Sequence, residues 1–311
     1  MTFRAFCNME QERKYVIVIA GPTAVGKTAA AIDIARHFDT EILSADSRQC
    51  YRELSIGVAR PSPEELAAVP HHFIASHSIV EKVTAATYES YALETLNRLF
   101  ATKRVVVVTG GTGLYIKALL EGLDEIPEVP EAIHRQVLEN YELGGLAWLR
   151  AELQAKDPAF WQSGEIHNPQ RMLRALEVFL TSGQSILSYR RERKATRPFT
   201  AIQLALELPR EELYHRINNR VESMMEQGLL NEAKSMQAFR GMNALQTVGY
   251  RELFRYLDGE LTLEQAVHVI QQNTRQYAKR QITWFRHQGL YHWCKPYSNI
   301  IKSILDERIK H

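Results

Sequence analysis

Cysteine is scarce: Cys7, Cys50 and Cys294 are the only three in 311 residues. They are too few and too scattered for a disulfide framework, and none has the paired spacing of a zinc site. Long apolar runs are missing as well. The early stretch from Tyr15 to Ala20 falls far short of a bilayer crossing and is too short for a secretory leader. No strong charge of either sign is present, since 38 Lys and Arg face 36 Asp and Glu for a formal net of +2. That excludes a uniformly basic, histone-like binder but leaves room for uneven placement of charge. With 45% hydrophobic and 24% charged residues, disorder and collagen-like architectures are excluded. The expectation is a cytoplasmic protein with reduced thiols and no membrane association. No dimer-specific segment stands out, so a monomer is expected.

Residues 15–20 (YVIVIA) are β-branched and apolar, and Gly21 and Pro22 stop them. This is the mark of a buried parallel strand. A helical pattern follows through Ala29, Ala30, Ile32, Ile34, Ala35 and Phe38. Residues 41–45 and, more weakly, 71–75 read as strands, and Thr84 caps a helix reaching Arg98. Residues 104–109 (RVVVVT) form another buried strand, ended by Gly110 and Gly111. Because strand 2 commonly neighbours strand 1, residues 41–45 are expected beside residues 15–20. The alternation predicts an open parallel α/β sheet.

After Leu120 strand character is lost. Gly144 and Gly145 break one helix, Asp157 before Pro158 starts a short one, and Asn168 caps a helix opening at Pro169 and ending at Gly183, with Met172, Leu173, Leu176, Phe179 and Leu180 directed towards a core. A strand returns at 201–208, followed by helices at 210–227, 229–240, 248–257 and 262–287. The expected fold is α/β. A P-loop NTPase-like parallel-sheet core with a helical C-terminal region occupies 12–120 and 198–311, and an all-helical subdomain is inserted at 121–197.

Gly21, Pro22, Thr23, Ala24, Val25, Gly26, Lys27 and Thr28 fit GxxxxGK[ST] between a strand and a helix. Glycines let backbone N–H groups face phosphate oxygens, and the helix N-terminus adds positive character. Lys27 reaches terminal phosphates and the Thr28 hydroxyl can ligate Mg²⁺. The pattern points to a di- or triphosphate, ATP included, without choosing among them. The Gly110, Gly111, Thr112, Gly113 turn fits either a second phosphate loop or a tight strand-to-helix turn. No Asp ends the valine strand, so the Walker B magnesium ligand of motor ATPases is missing there. That favours a small P-loop transferase.

Asp46, Ser47, Arg48 and Gln49 follow the second strand at the carboxyl side of the sheet, where open α/β proteins bind ligands. Asp46 suits a water-bridged Mg²⁺ ligand or a general base, and equally a turn or cap residue. Gln49 has an amide able to read a base edge. Arg216 and Arg220, one turn apart, suit either phosphate clamping or surface pairing.

Charge is placed unevenly. Residues 165–197 hold Arg171, Arg174, Arg190, Arg191, Arg193, Lys194 and Arg197 against three carboxylates, a net of +4. Residues 272–295 hold Arg275, Lys279, Arg280, Arg286 and Lys295 with no acid, a net of +5. The remainder of a +2 chain is therefore −7. Such asymmetry is the footprint of a polyanion site, RNA or DNA. Arg275 and Lys279 share a helix face, while Trp284 and Phe285 between the charges read as core. Gln170, Arg171 and Arg174, at a helix start, can reach phosphates or a base.

Six segments in order resemble the tRNA dimethylallyltransferases, or tRNA isopentenyltransferases, of the IPP transferase family. They are GPTAVGKT (21–28), DSRQCYRELSIGVARP (46–61), GGTGLYIKALLEGL (110–123), PQRMLRALEV (169–178), GYRELFRYLDGE (249–260) and TRQYAKRQITWFR (274–286). The resemblance implies transfer of a dimethylallyl group from dimethylallyl diphosphate to N6 of the adenosine immediately 3′ of the anticodon in tRNA, with diphosphate released. It also implies an inserted helical domain that grips the anticodon stem-loop and diphosphate contacts from Thr23 to Thr28; the loop chemistry adds Gly21, Pro22 and Mg²⁺ on Thr28, and Arg220 is the further diphosphate candidate. The tRNA contacts it implies are Asp46 to Gln49, Thr112 and the stretch Gln170, Arg171, Met172, Leu173, Arg174, to which the basic Arg275 and Lys279 are added. On this reading Lys27 and Thr28 neutralise the leaving group and Asp46 takes the amine proton. Three departures stand out: Cys50 replaces a usual valine, VARP (58–61) a usual TAKP, and IHNPQ (166–170) a longer IHPNDPQ.

Overall fold

The computed structural model describes residues 13–190 and 194–310. Cys7, Glu12, Arg191, Glu192, Arg193 and His311 lie outside the described residues. The chain divides into two compact units, one running to Glu121 and resuming at Thr196, the other Gly122–Ala195.

In the first unit β1 (Tyr15–Ala20) is buried along all six residues. Val16, Val18 and Ala20 enter one core, and Tyr15, Ile17 and Ile19 enter the core on the opposite face. A strand covered on both faces gains nothing from polar alternation, which is why YVIVIA is apolar throughout. The chain continues through α1 (Lys27–His37), β2 (Ile42–Ser44), α2 (Pro63–Ala68), β3 (His71–His72), α3 (Ala85–Leu99), β4 (Val105–Gly110) and α4 (Gly113–Glu121).

The second unit contains α5 (Glu131–Lys156), α6 (Pro158–Gln162) and α7 (Pro169–Ser182). Gly145 interrupts α5 with a non-helical backbone. Asp157 and Asn168 cap α6 and α7 by accepting from backbone N–H groups, and Gly183 ends α7 in the left-handed conformation. Val137, Leu149, Leu153, Phe160, Met172, Leu173 and Leu176 form this unit's own core.

The first unit resumes with β5 (Thr200–Leu206), α8 (Arg210–Glu226), α9 (Leu229–Ser235), α10 (Tyr250–Leu257), α11 (Leu263–His287), β6 (His292–Cys294) and α12 (Ser298–Lys310). The strands form one parallel six-stranded sheet among the described residues, ordered β3-β2-β4-β1-β5-β6. α11 serves both faces, with Ile270 and Phe285 in one core and Ala278 in the other.

Several expectations are corrected. β2 does not neighbour β1, because β4 lies between them. The strand expected over 71–75 is only His71–His72, since Phe73 and Ala75 have positive φ that ends the extended run. The helix expected over 229–240 stops at Ser235 and gives way to a 3₁₀ turn over Gln237–Phe239. β6 and α12 were not anticipated; β6 is three residues long, too short to show alternation.

Candidate active site

The loop between β1 and α1 is a ready anion site. Gly26 caps α1 with φ of 102°, a left-handed conformation open to glycine, and no side chain caps the helix. The first-turn N–H groups are thus left for a ligand. Lys27 Nζ donates to the Pro22 carbonyl at 2.8 Å, so the lysine is folded under its own loop. Burial lowers its pKa to about 8, opposed by the negative charge of Asp46 and assisted by the positive charge of Arg220. Thr28, half-buried in the first turn, has no hydrogen-bond partner for its hydroxyl among the described residues. Ala24 and Val25 are buried, so this part of the loop offers backbone rather than side chain.

The choice between Arg216 and Arg220 follows from their partners. Arg220 Nη1 donates to Thr23 Oγ1 at 3.4 Å, and burial lowers the pKa of its guanidinium. Arg216 spends Nη2 on Glu212 at 2.7 Å at the surface. Its Nη1 still stands 3.8 Å from where a Gly26 Cβ would lie. Arg220 is the partly buried cation already on the loop.

Asp46 reaches this loop although β4 separates the two strands. β4 ends in glycines, and a Cβ at Gly110 would fall 2.2 Å from the Ala45 carbonyl oxygen. The absent side chain lets the chain at Ala45 lean across the end of β4. Ala45 N–H donates to Thr109 O at 2.7 Å, and Thr112 N–H donates back to Ala45 O at 3.1 Å. Ser47 N–H donates to Thr112 Oγ1 at 3.0 Å, so Thr112 holds the turn that carries Asp46. Asp46 Oδ1 accepts from Arg48 N–H at 2.8 Å and Gln49 N–H at 3.2 Å. The turn role is therefore real, and it uses one oxygen. Oδ2 has no hydrogen-bond partner among the described residues.

Sequence reasoning missed Gln281. This buried α11 side chain accepts from Thr23 N–H at 2.9 Å and donates from Nε2 to Gly111 O at 2.9 Å. A Cβ at Gly111 would fall 2.2 Å from Gln281 Nε2, and one at Gly113 2.0 Å from Trp284 Nε1. The glycine-rich turn over 110–113 is thus a seat for α11, which decides between the two alternatives the sequence left open. No sequence signal separated Gln281 from Gln265, Gln271, Gln272 and Gln276 on the same helix.

Other expected contacts are placed as follows. Gln49 donates from Nε2 to Val58 O at 3.3 Å and Ala59 O at 2.8 Å, so its amide braces the loop instead of standing free to read a base edge. Arg48 Nη1 donates to Asn243 O at 2.7 Å and Oδ1 at 3.0 Å. Arg275 donates to Asn218 at 2.7 Å, whereas Lys279 is exposed. Phe285 is core, as its pattern implied.

On the helical unit, Gln170 and Arg171 are exposed, with Arg171 3.5 Å from Glu165 and Arg174 3.7 Å from Glu177. Met172 and Leu173, which the helical pattern directs to a core and the resemblance to tRNA, are buried in that unit's core at 0% and 3% exposure and pack α7 in place, whereas Leu180 of the same pattern is exposed. Arg197 is also withdrawn from the basic surface: it pairs with Glu89 and donates to Ala118 O at 2.8 Å. Arg60 donates to the carbonyls of Tyr51, Arg52 and Leu54, and Cys50 is fully buried packing.

A parallel sheet with a phosphate loop at its carboxyl edge, two cations on that loop and a half-committed carboxylate beside it defines a P-loop transferase. The sequence matches the model of the IPP transferase family over residues 49–288. Relatives named tRNA dimethylallyltransferase 1 from Bacteroides thetaiotaomicron and Phocaeicola vulgatus are 44% and 45% identical, each over 90% of this chain and 91% and 94% of their own lengths. A crystal structure of a tRNA isopentenylpyrophosphate transferase from Bacillus halodurans superposes with a TM-score of 0.71 at 31% identity, covering 96% of this chain and 97% of that one. The eukaryotic dimethylallyltransferase captured acting on tRNA superposes at 0.72 with 27% identity, over 87% and 69%. The chain belongs to the IPP transferase family, and is an enzyme of that prenyl-transferring class. No helix among the described residues is long and apolar enough to cross a membrane.

Proposed function

We propose that the protein transfers the dimethylallyl group of dimethylallyl diphosphate to N6 of the adenosine immediately 3′ of the anticodon in tRNA, releasing diphosphate. The observation that carries this reading is the setting of Asp46, with one carboxylate oxygen uncommitted, against a phosphate loop holding Lys27 and Arg220. An allylic diphosphate needs its leaving group neutralised, and an adenine amine needs a proton acceptor because its lone pair is delocalised into the ring.

The α1 N-terminus, Lys27, Thr23 and Arg220 bind the diphosphate and withdraw charge as the C1–O bond breaks. The N6 lone pair forms the new N–C1 bond, and its proton passes to Asp46 Oδ2. The adenine must leave its stack to reach that carbon. The Asp46 turn is fixed by Thr112, and the phosphate loop by Gln281, so both reacting ends are held before substrate arrives.

Among the described residues no cluster of three His, Cys, Asp or Glu can hold a metal. The uncommitted Thr28 hydroxyl would hold Mg²⁺ beside the diphosphate, which leaves Asp46 Oδ2 to accept the amine proton. Bound there, Mg²⁺ supplies further neutralisation of the departing diphosphate. The unit Gly122–Ala195 grips the anticodon stem-loop, with Gln170, Arg171 and Arg174 as its contacts, and Lys279 adds charge on α11.

The test is incubation of the protein with Mg²⁺, labelled dimethylallyl diphosphate and an anticodon stem-loop bearing the adenosine. Label in RNA at N6 is expected. Unlabelled RNA, with ATP consumed on a small acceptor, would identify a kinase instead.

A further inference from the structure

The segment 46–60 approaches the site as irregular backbone, yet three successive N–H groups in it converge on one side chain. Ser55 and Ile56 each donate to Glu232 Oε2 at 2.9 Å, and Gly57 donates to Oε1 at 2.8 Å. The Tyr250 hydroxyl donates to the same Oε1 at 2.5 Å. A carboxylate from α9 thus fills a nest of amides in the N-terminal half of the chain, with α10 supplying a fourth donor. Gly57 is required by this arrangement, since a Cβ there would lie 2.6 Å from the Tyr250 ring. Burial, and then the hydrogen bond to Glu232, push the Tyr250 phenol far above its usual range, so it remains a donor.

The segment transmits this anchor back to Asp46. Arg60 gathers three carbonyls between Tyr51 and Leu54, and Gln49 Nε2 ties in Val58 and Ala59. The backbone N–H of that same Gln49 donates to Asp46 Oδ1. Arg48, bound to Asn243, is a second tether from the connection between α9 and α10. None of these contacts involves the phosphate loop.

We propose that Glu232, completed by Tyr250, is a positioning residue for the transfer, holding the 46–60 segment so that Asp46 Oδ2 meets the incoming amine. The proposal rests on Asp46 being the proton acceptor. Glu232→Gln keeps the size of the side chain but turns an acceptor oxygen into an NH₂ group facing amide donors. Misplacing a reacting group by about 1 Å is enough for roughly a 100-fold loss of rate.

Single-turnover transfer, with inorganic diphosphate affinity measured separately, is compared for the unaltered protein, Glu232→Gln, Tyr250→Phe, Asp46→Asn and the double variant Asp46→Asn/Glu232→Gln. Glu232→Gln is expected to slow transfer about 10- to 100-fold at undiminished diphosphate affinity. Tyr250→Phe, which keeps the ring against Gly57, is expected to slow it about 2- to 10-fold. In the Asp46→Asn background, Glu232→Gln is expected to add no further loss. Additive losses, an equal fall in diphosphate affinity, or an unaltered rate at reduced amplitude would each overturn the proposal. Undiminished transfer by Asp46→Asn alone would instead remove Asp46 as the proton acceptor.

Discussion

Thr23 and Gln281 are separated by 258 residues, and the Thr23 N–H donates to Gln281 Oε1 at 2.9 Å. Through Nε2 the same amide reaches Gly111, next to Thr112, which holds Ser47 beside Asp46. One α11 side chain therefore links the phosphate loop to the turn bearing the carboxylate. Gln281→Glu removes the donor to Gly111 and adds negative charge beside the diphosphate site. We expect kcat/KM for dimethylallyl diphosphate to fall about 10- to 100-fold. Steady-state kinetics with the donor varied will read this; an unaltered kcat/KM would show that the bridge has no part in donor use.

Lys27 is expected to set a pH limit on diphosphate binding. Burial lowers its pKa from 10.5 to about 8, and only the protonated ammonium attracts the ligand. As pH rises through about 8 the free protein loses this cation, so affinity for inorganic diphosphate declines above that pH. For stability the sign is opposite. The unfolded chain holds the proton more tightly, so Lys27 lowers stability below about pH 8, and the penalty fades as pH rises towards 10.5. Titration calorimetry between pH 7 and 9.5 is the check, with Lys27→Met expected to bind weakly and lose this pH dependence.

On the proposed reading the Thr28 hydroxyl holds Mg²⁺. Thr28→Val keeps the shape and removes the oxygen. The Mg²⁺ concentration for half-maximal transfer should rise by about tenfold. An unchanged Mg²⁺ requirement would exclude Thr28 as a ligand.

Arg197 tests the division between structural and RNA-directed cations. Its guanidinium satisfies Glu89, whose side chain is 20% exposed, and the Ala118 carbonyl. Arg197→Met leaves that carboxylate uncompensated, and the expected loss in urea unfolding is about 3 kcal/mol. Stem-loop affinity of the folded variant should remain unaltered. A selective loss of RNA affinity with full stability would return Arg197 to the RNA surface.

The phosphate loop was legible because its chemistry is local: a strand, two glycines, Lys27 and the start of a helix lie between Tyr15 and Thr28. The caps at Thr84, Asp157 and Asn168 were legible for the same reason, since a cap bonds within three residues. What stayed hidden depends on contacts between distant segments. Nothing in the spacing of Gln49 distinguishes an amide that reads a base from one that braces Ala59. The apolar periodicity of α7 did mark Met172 and Leu173 as core, and it was their place in a motif expected at tRNA that pointed the other way. Gln281, Glu232 and Arg197 each act on backbone groups that folding delivers from elsewhere in the chain. The placement of β4 between β1 and β2 was equally invisible, because strand order is set by crossover connections and not by strand composition.

The carboxylate of Asp46 is the most direct test of the reaction. Single-turnover transfer from labelled dimethylallyl diphosphate to the anticodon stem-loop should slow by about 100- to 10,000-fold in Asp46→Asn. The variant should still bind diphosphate and stem-loop, because Lys27, Arg220 and the helical unit are untouched. Transfer at the unaltered rate by a folded Asp46→Asn protein would contradict proton acceptance at this residue.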